Sequence, residues 1–132
     1  MADRRAKQRA FEEKRKQKAV CEVNEERELQ IYTASIHANV AAEVEHTFDL
    51  SSVQLNINFP LNQSALDPDI FQEIVSKSKF QQLLQAYLAK IEDKDFHTIL
   101  IICVHGLHRS VAMAEAIKAK YPLSTCHHLM LE

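Results

Sequence analysis

The stretch His97-Thr98-Ile99-Leu100-Ile101-Ile102-Cys103 constrains the fold more than any other part of the chain. From Ile99 on it is apolar without interruption, and it is rich in β-branched residues, the pattern of a central strand buried on both faces. The loop Cys103-Val104-His105-Gly106-Leu107-His108-Arg109-Ser110 follows at once. Residues Ser110 to Lys120 then read as a helix with small residues Ala112, Ala114, Ala116 and Ala119, ended by Tyr121-Pro122. A strand with no polar face needs cover, and a strand–loop–helix run supplies it by a right-handed crossover. The expected class is α/β: a small three-layer domain with a mostly parallel sheet and a phosphate-binding strand–loop–helix.

The other elements arrange themselves around this unit. Leu29 to Ile36 alternates and reads as a first strand, and Phe48 to Ile57 as a second strand, or a strand and its exit, that Asn58-Phe59-Pro60 breaks. Asp67 is placed to cap a short helix over Ile70–Ser76, with Pro68 at its first position. Ser78 is placed to cap a longer helix over Lys79–Glu92. There Phe80, Leu83, Leu84, Tyr87, Leu88 and Ile91 form the clearest amphipathic stripe in the chain. Leu123 to Leu131 is expected to be a last strand.

Charge divides the chain in two. The net charge of −2 hides +5 over residues 1–20, where eight Lys/Arg meet three acids, and −7 over the rest, where eight meet fifteen. Residues 1–27 therefore read as a basic helical or flexible arm, and residues 28–132 as the globular domain. No apolar run approaches the roughly 18 residues of a membrane span, so no membrane contact is expected. Cys21, Cys103 and Cys126 form no Cys-x-x-Cys pair and suggest a reducing compartment. The expected location is the cytoplasm. A mitochondrial location is the alternative, although Asp3, Glu12 and Glu13 are unusual for a transit peptide.

The chemistry gathers in the loop. The chain has a single glycine, where average usage would give about nine, and it falls at Gly106. A loop between a parallel strand and a helix sits at the carboxyl edge of the sheet, where ligands bind. The helix start offers amide donors and the positive end of its dipole. Arg109 adds a planar cationic fork, and His105 and His108 add donors. Cys103, His105, Gly106, His108, Arg109 and Ser110 are thus the candidate anion-binding residues.

The spacing Cys-x5-Arg-Ser also matches the phosphate loop of cysteine-dependent phosphatases. In that alternative Cys103 is the nucleophile, Arg109 holds the phosphoryl group and Ser110 assists the leaving thiolate. Such an enzyme needs an acid, and Asp49, Asp67 and Asp69 are candidates by type. The blander reading makes Cys103 an inert core residue and Arg109 a surface ion-pair partner. His127-His128 point to opposite faces of a strand, which argues against a metal pair. His37, His46 and His97 read as scattered structural histidines. No cofactor and no metal are expected.

The loop and the order of elements around it resemble the C-terminal domain of the RNase adapter protein RapZ family. The likeness runs from about Glu28 to the end, about four fifths of the chain. It includes Phe48-Asp49 after the first strand, Asn58-Phe59-Pro60 near a proline-rich stretch, and the strand Thr98–Ile102. It is most specific in Cys103 to Val111, where the family has Cys-Thr-Gly-Gly-x-His-Arg-Ser-Val, and extends to Glu115 and His127-His128-Leu129. The resemblance implies an anion pocket made from Cys103, Gly106, His108 and Arg109, a phosphosugar ligand such as glucosamine-6-phosphate, a regulatory-RNA partner, and binding rather than turnover. The chain differs at Val104 and His105, which replace a threonine and a glycine, at Ser51, which replaces an arginine, and at His128-Leu129. No Gly-x4-Gly-Lys-Ser/Thr motif stands for the family's nucleotide-binding domain.

These readings lead to a non-catalytic phosphate- or phosphosugar-binding domain, acting as an RNA-binding or adaptor protein, with residues 1–27 contacting RNA or a protein. The alternatives are a structural subunit of a larger, ribonucleoprotein-like assembly with a degenerate pocket, and the cysteine-dependent phosphatase.

Overall fold

The computed structural model describes residues 22–40, 42–55 and 59–131. Residues 1–21 of the expected helical or flexible arm over residues 1–27, and the break at Asn58, lie outside the described residues. Four strands run β1 (Gln30–Ser35), β2 (His46–Asp49), β3 (Thr98–Cys103) and β4 (Thr125–His128). The helices are α1 (Pro68–Val75), α2 (Ser78–Lys94) and α3 (Arg109–Lys120), and a 3-10 turn covers Leu129–Leu131.

The sheet order is β2-β3-β1-β4, and every pair is parallel. The α/β class follows directly, with a sheet that is parallel throughout. β3 occupies a central place, as its apolar sequence requires: Ile99 and Ile101 are fully buried. Register puts Ile31, Ile99 and Cys126 on one face and Tyr32, Leu100 and His127 on the other. α3 packs across β1, β3 and β4, and α1 and α2 pack on α3 and on each other. Phe48 of β2 stacks on Tyr87 of α2 at 4.0 Å between ring centres. The core is built from Leu29, Ile31, Phe80, Leu88, Ile91, Val111, Met113 and Ile117, all essentially inaccessible to water.

Several boundaries differ from the sequence reading. The second strand stops at Asp49, because the Asp49 carboxylate accepts the Ser51 amide at 2.8 Å and turns the chain. Leu50 amide still reaches the Ile102 carbonyl, after which the chain turns back from Leu50 to Val53. Leu50, Val53 and Leu55 therefore belong to an irregular segment that leaves the strand. The last strand ends at His128, where the 3-10 turn begins. Ser78 is the first helical residue of α2, and Lys77 holds the cap position with no side-chain bond. The Asp67 cap forms as expected: its carboxylate accepts the Asp69 and Ile70 amides, with Pro68 in the first turn.

The chain before β1 is tied to the domain. Arg27, whose side chain is 8% exposed, pairs with Glu92 at 3.1 Å and with Asp95. Glu92 also accepts the Asn24 amide at 3.0 Å and the Tyr121 hydroxyl at 2.6 Å. Burial opposes ionisation of Arg27, but Glu92 and Asp95 outweigh it and raise its pKa above the usual arginine value. The Glu92 carboxyl is likewise kept below its ordinary range: burial works against this, and Tyr121, Arg27 and the Asn24 amide prevail.

Candidate functional site

Gly106 explains the loop's shape. Its φ is +73°, a left-handed conformation that strains residues with a side chain. A Cβ there would lie 2.6 Å from the Ala34 carbonyl carbon and the Ser35 amide nitrogen, and 2.5 Å from Met130 Cγ. The loop thus packs its backbone directly against the end of β1. Ser35 secures its first turn by donating to the Val104 carbonyl at 2.7 Å.

Cys103 closes β3 and is buried. Its thiol lies 3.3 Å from the Ser110 hydroxyl and accepts the Ser110 amide at 3.4 Å. Burial favours the neutral thiol. The Ser110 hydroxyl and amide, the Gly106 amide and the charge of Arg109 favour the thiolate more, and the pKa falls below that of an ordinary cysteine. When the thiol ionises, the Ser110 hydroxyl turns to donate to it.

Arg109, the first residue of α3, pairs with no carboxylate among the described residues. One guanidinium nitrogen reaches the carbonyls of Val53 at 2.8 Å, Leu50 at 3.1 Å and Ser51 at 3.4 Å. The irregular segment after β2 is held by these bonds. Arg109 Nε and the second amino group make no hydrogen bond among the described residues, so half of the fork remains for a ligand.

His108 is engaged in a similar way. Its Nε2 lies 2.7 Å from the Gln63 carbonyl and 3.2 Å from that of Pro60, which makes it the donor. Its ring leans on Phe59 at 5.6 Å, and the Leu107 carbonyl accepts the Ala65 amide at 2.9 Å. The 60–65 segment is thereby fastened over the loop.

Between these segments lies a cavity of about 760 Å³, lined by Ser51, Val53, Gln54, Leu55, Phe59, Leu61, Val104, His105, His108 and Arg109. No carboxylate is among the described residues that line it, although the domain carries a net excess of acids. Of the six candidate residues, His105, His108 and Arg109 face this cavity, with His105 exposed. Cys103, Gly106 and Ser110 are buried behind it and do not line it. The candidate acids are not brought there either. Asp49 folds back on Ser51, and Asp67 caps α1.

Two features escaped the sequence reading. One is the Arg27–Glu92–Tyr121 clasp, for which no local pattern exists. The other joins Glu115 of α3 to Cys126 and His128 of β4. The spacing i, i+2 on a strand puts Cys126 and His128 on one face, and that signal was available. His127, on the opposite face, stacks on Tyr32 and bonds Gln30 at 2.8 Å. Among the described residues, no helix is long and apolar enough to cross a membrane. In comparison with known proteins, the chain matches no family model and no curated relative.

Proposed function

We propose that the domain binds a phosphate or phosphosugar without turning it over, and that it serves as an RNA-binding or adaptor protein in the cytoplasm. The observation that carries this reading is the cavity of about 760 Å³, with no acid among its described lining residues and half of the Arg109 fork at its wall. Its volume suits a ligand of a few hundred daltons. Arg109 and the start of α3 supply the anion contact, His105 a further donor, and Phe59 a flat apolar surface for a sugar ring. The likeness of the loop to the RapZ C-terminal domain supports the same class of ligand. In this reading the basic segment within residues 1–27 carries the RNA or protein contact through its charge.

The test is equilibrium binding of inorganic phosphate and glucosamine-6-phosphate to wild type, His105→Ala and Arg109→Lys. Saturable binding that weakens in both variants supports the proposal. No binding of either anion overturns it in favour of the structural subunit with a degenerate pocket. One observation favours a second reading, the phosphatase: the Cys103 thiolate is stabilised by Ser110 and Gly106. Hydrolysis of an aryl phosphate that disappears in Cys103→Ser would establish it. The buried sulfur and the lack of an acid in the cavity lining favour binding.

A further inference from the structure

Away from the loop, α3 and β4 bring together three side chains of different chemistry. Glu115, Cys126 and His128 each direct one ligand atom into a space where all three atoms lie within 4.8 Å of one another. His128 Nε2 is 2.7 Å from Glu115 Oε2, and Nδ1 is 2.9 Å from Thr33 Oγ1. The cluster is half-buried, with the His128 side chain 10% exposed and that of Glu115 31% exposed. Glu115 also borders a second hollow, of about 220 Å³, with Ala65, Leu66, Pro68 and Phe71.

We propose that Glu115, Cys126 and His128 form a binding site for a borderline divalent metal ion of the zinc class, with its fourth position open to solvent or to a ligand. Sulfur, imidazole and carboxylate together are a zinc donor set. Tetrahedral bonds of about 2.0–2.3 Å space the donors by roughly 3.3–3.6 Å. The donors, all within 4.8 Å of one another, must therefore close by no more than about 1 Å, and the Glu115–His128 contact at 2.7 Å must open by somewhat less. Thr33 occupies the place of an outer partner that fixes the histidine ring. Its hydroxyl serves both states. It donates to Nδ1 while Nε2 carries the proton, and it accepts from Nδ1 once the metal holds Nε2.

The charges balance. Cys126 loses its proton to solvent on coordination, His128 binds as the neutral imidazole, and the thiolate and the Glu115 carboxylate together neutralise a dication. The half-buried site then carries no net charge, which is the condition for placing an ion there. The metal would tie β4 to α3 beside the central strand.

The probe is cobalt(II) added to the metal-free full-length protein, followed by zinc(II). The expected result is a thiolate-to-cobalt charge-transfer band that saturates at one ion per chain and is bleached by zinc. Cys126→Ser removes the band, whereas Cys21→Ser and Cys103→Ser keep it. Thr33→Val keeps the three ligands and weakens affinity roughly tenfold. A missing band, or one that survives Cys126→Ser, overturns the proposal. If Cys126→Ser fails to fold, Glu115→Gln decides. A loss of affinity of tenfold or more supports the site, and an unchanged affinity refutes it.

Discussion

Arg109 donates to the Val53 carbonyl oxygen at 2.8 Å, so the residue best suited to hold an anion also holds the wall of the cavity in which the anion would sit. Under the proposed function, ligand binding and local folding are therefore linked through one side chain. Replacing Arg109 by Lys keeps the charge but leaves carbonyls of the 50–53 segment without their planar donor. A stability loss of about 2 kcal/mol is expected. Urea unfolding of the variant checks it, and a loss within experimental error would detach the segment from Arg109.

Gly106→Ala combines a positive φ with a Cβ that meets β1 backbone. Met130 can swing aside, but the Ala34–Ser35 peptide cannot without disturbing the sheet. A loss of about 3 kcal/mol is expected, measured as the shift in urea midpoint at constant slope. An alanine variant as stable as wild type would mean that the loop can move off β1.

The Arg27 clasp predicts a pH dependence. The folded-state pKa of Glu92 lies below its unfolded value, so the group stabilises the fold above the unfolded pKa. That contribution is lost as pH falls through the folded pKa. Glu92→Gln should be less stable than wild type by about 2 kcal/mol at neutral pH. The gap should narrow as pH falls through and below the ordinary carboxylate range. Parallel stability curves across that range would contradict the assignment.

The two described cysteines should titrate on opposite sides of an ordinary thiol. Cys103 lies below it, whereas burial and then the neighbouring Glu115 carboxylate push Cys126 up to about 12 in the metal-free protein. In a Cys21→Ser background, thiolate absorbance against pH should show two separated steps. Ser110→Ala should move the lower step upward, because it removes a donor to the Cys103 thiolate. Coincident steps would show that the two environments are alike.

What the sequence disclosed was set by how local each cause is. β3 and α2 were legible because each writes its burial into one uninterrupted pattern: Ile99 to Cys103 for the strand, and the Phe80–Ile91 stripe for the helix. The Asp67–Pro68 start of α1 was legible because capping is a matter of adjacent residues. For β2 the sequence left open whether Phe48 to Ile57 is all strand or a strand and its exit, because the turn set by Asp49 and Ser51, which decides for the exit, is a side-chain event that the run of residues does not record. The loop was recognisable as a candidate anion site. That His108 would hold the 60–63 carbonyls and Arg109 those of 50–53 depends on contacts some 50 residues apart. The cluster at Glu115 was hidden for the same reason, since its carboxylate comes from another element than Cys126 and His128.

The strand order also governs how the domain comes into being. β1 is translated first among the strands, yet its two neighbours are β3 and β4, so that Gln30 pairs with Thr98 and Thr125. β3 closes one of these edges, and the other stays open until residues 125–128 have been made. Ile31, which pairs with Cys126 across that edge, lacks its β4 neighbour until then. A nascent chain stalled before β4 is an unfinished sheet with an open side, the form of this protein most in need of a chaperone.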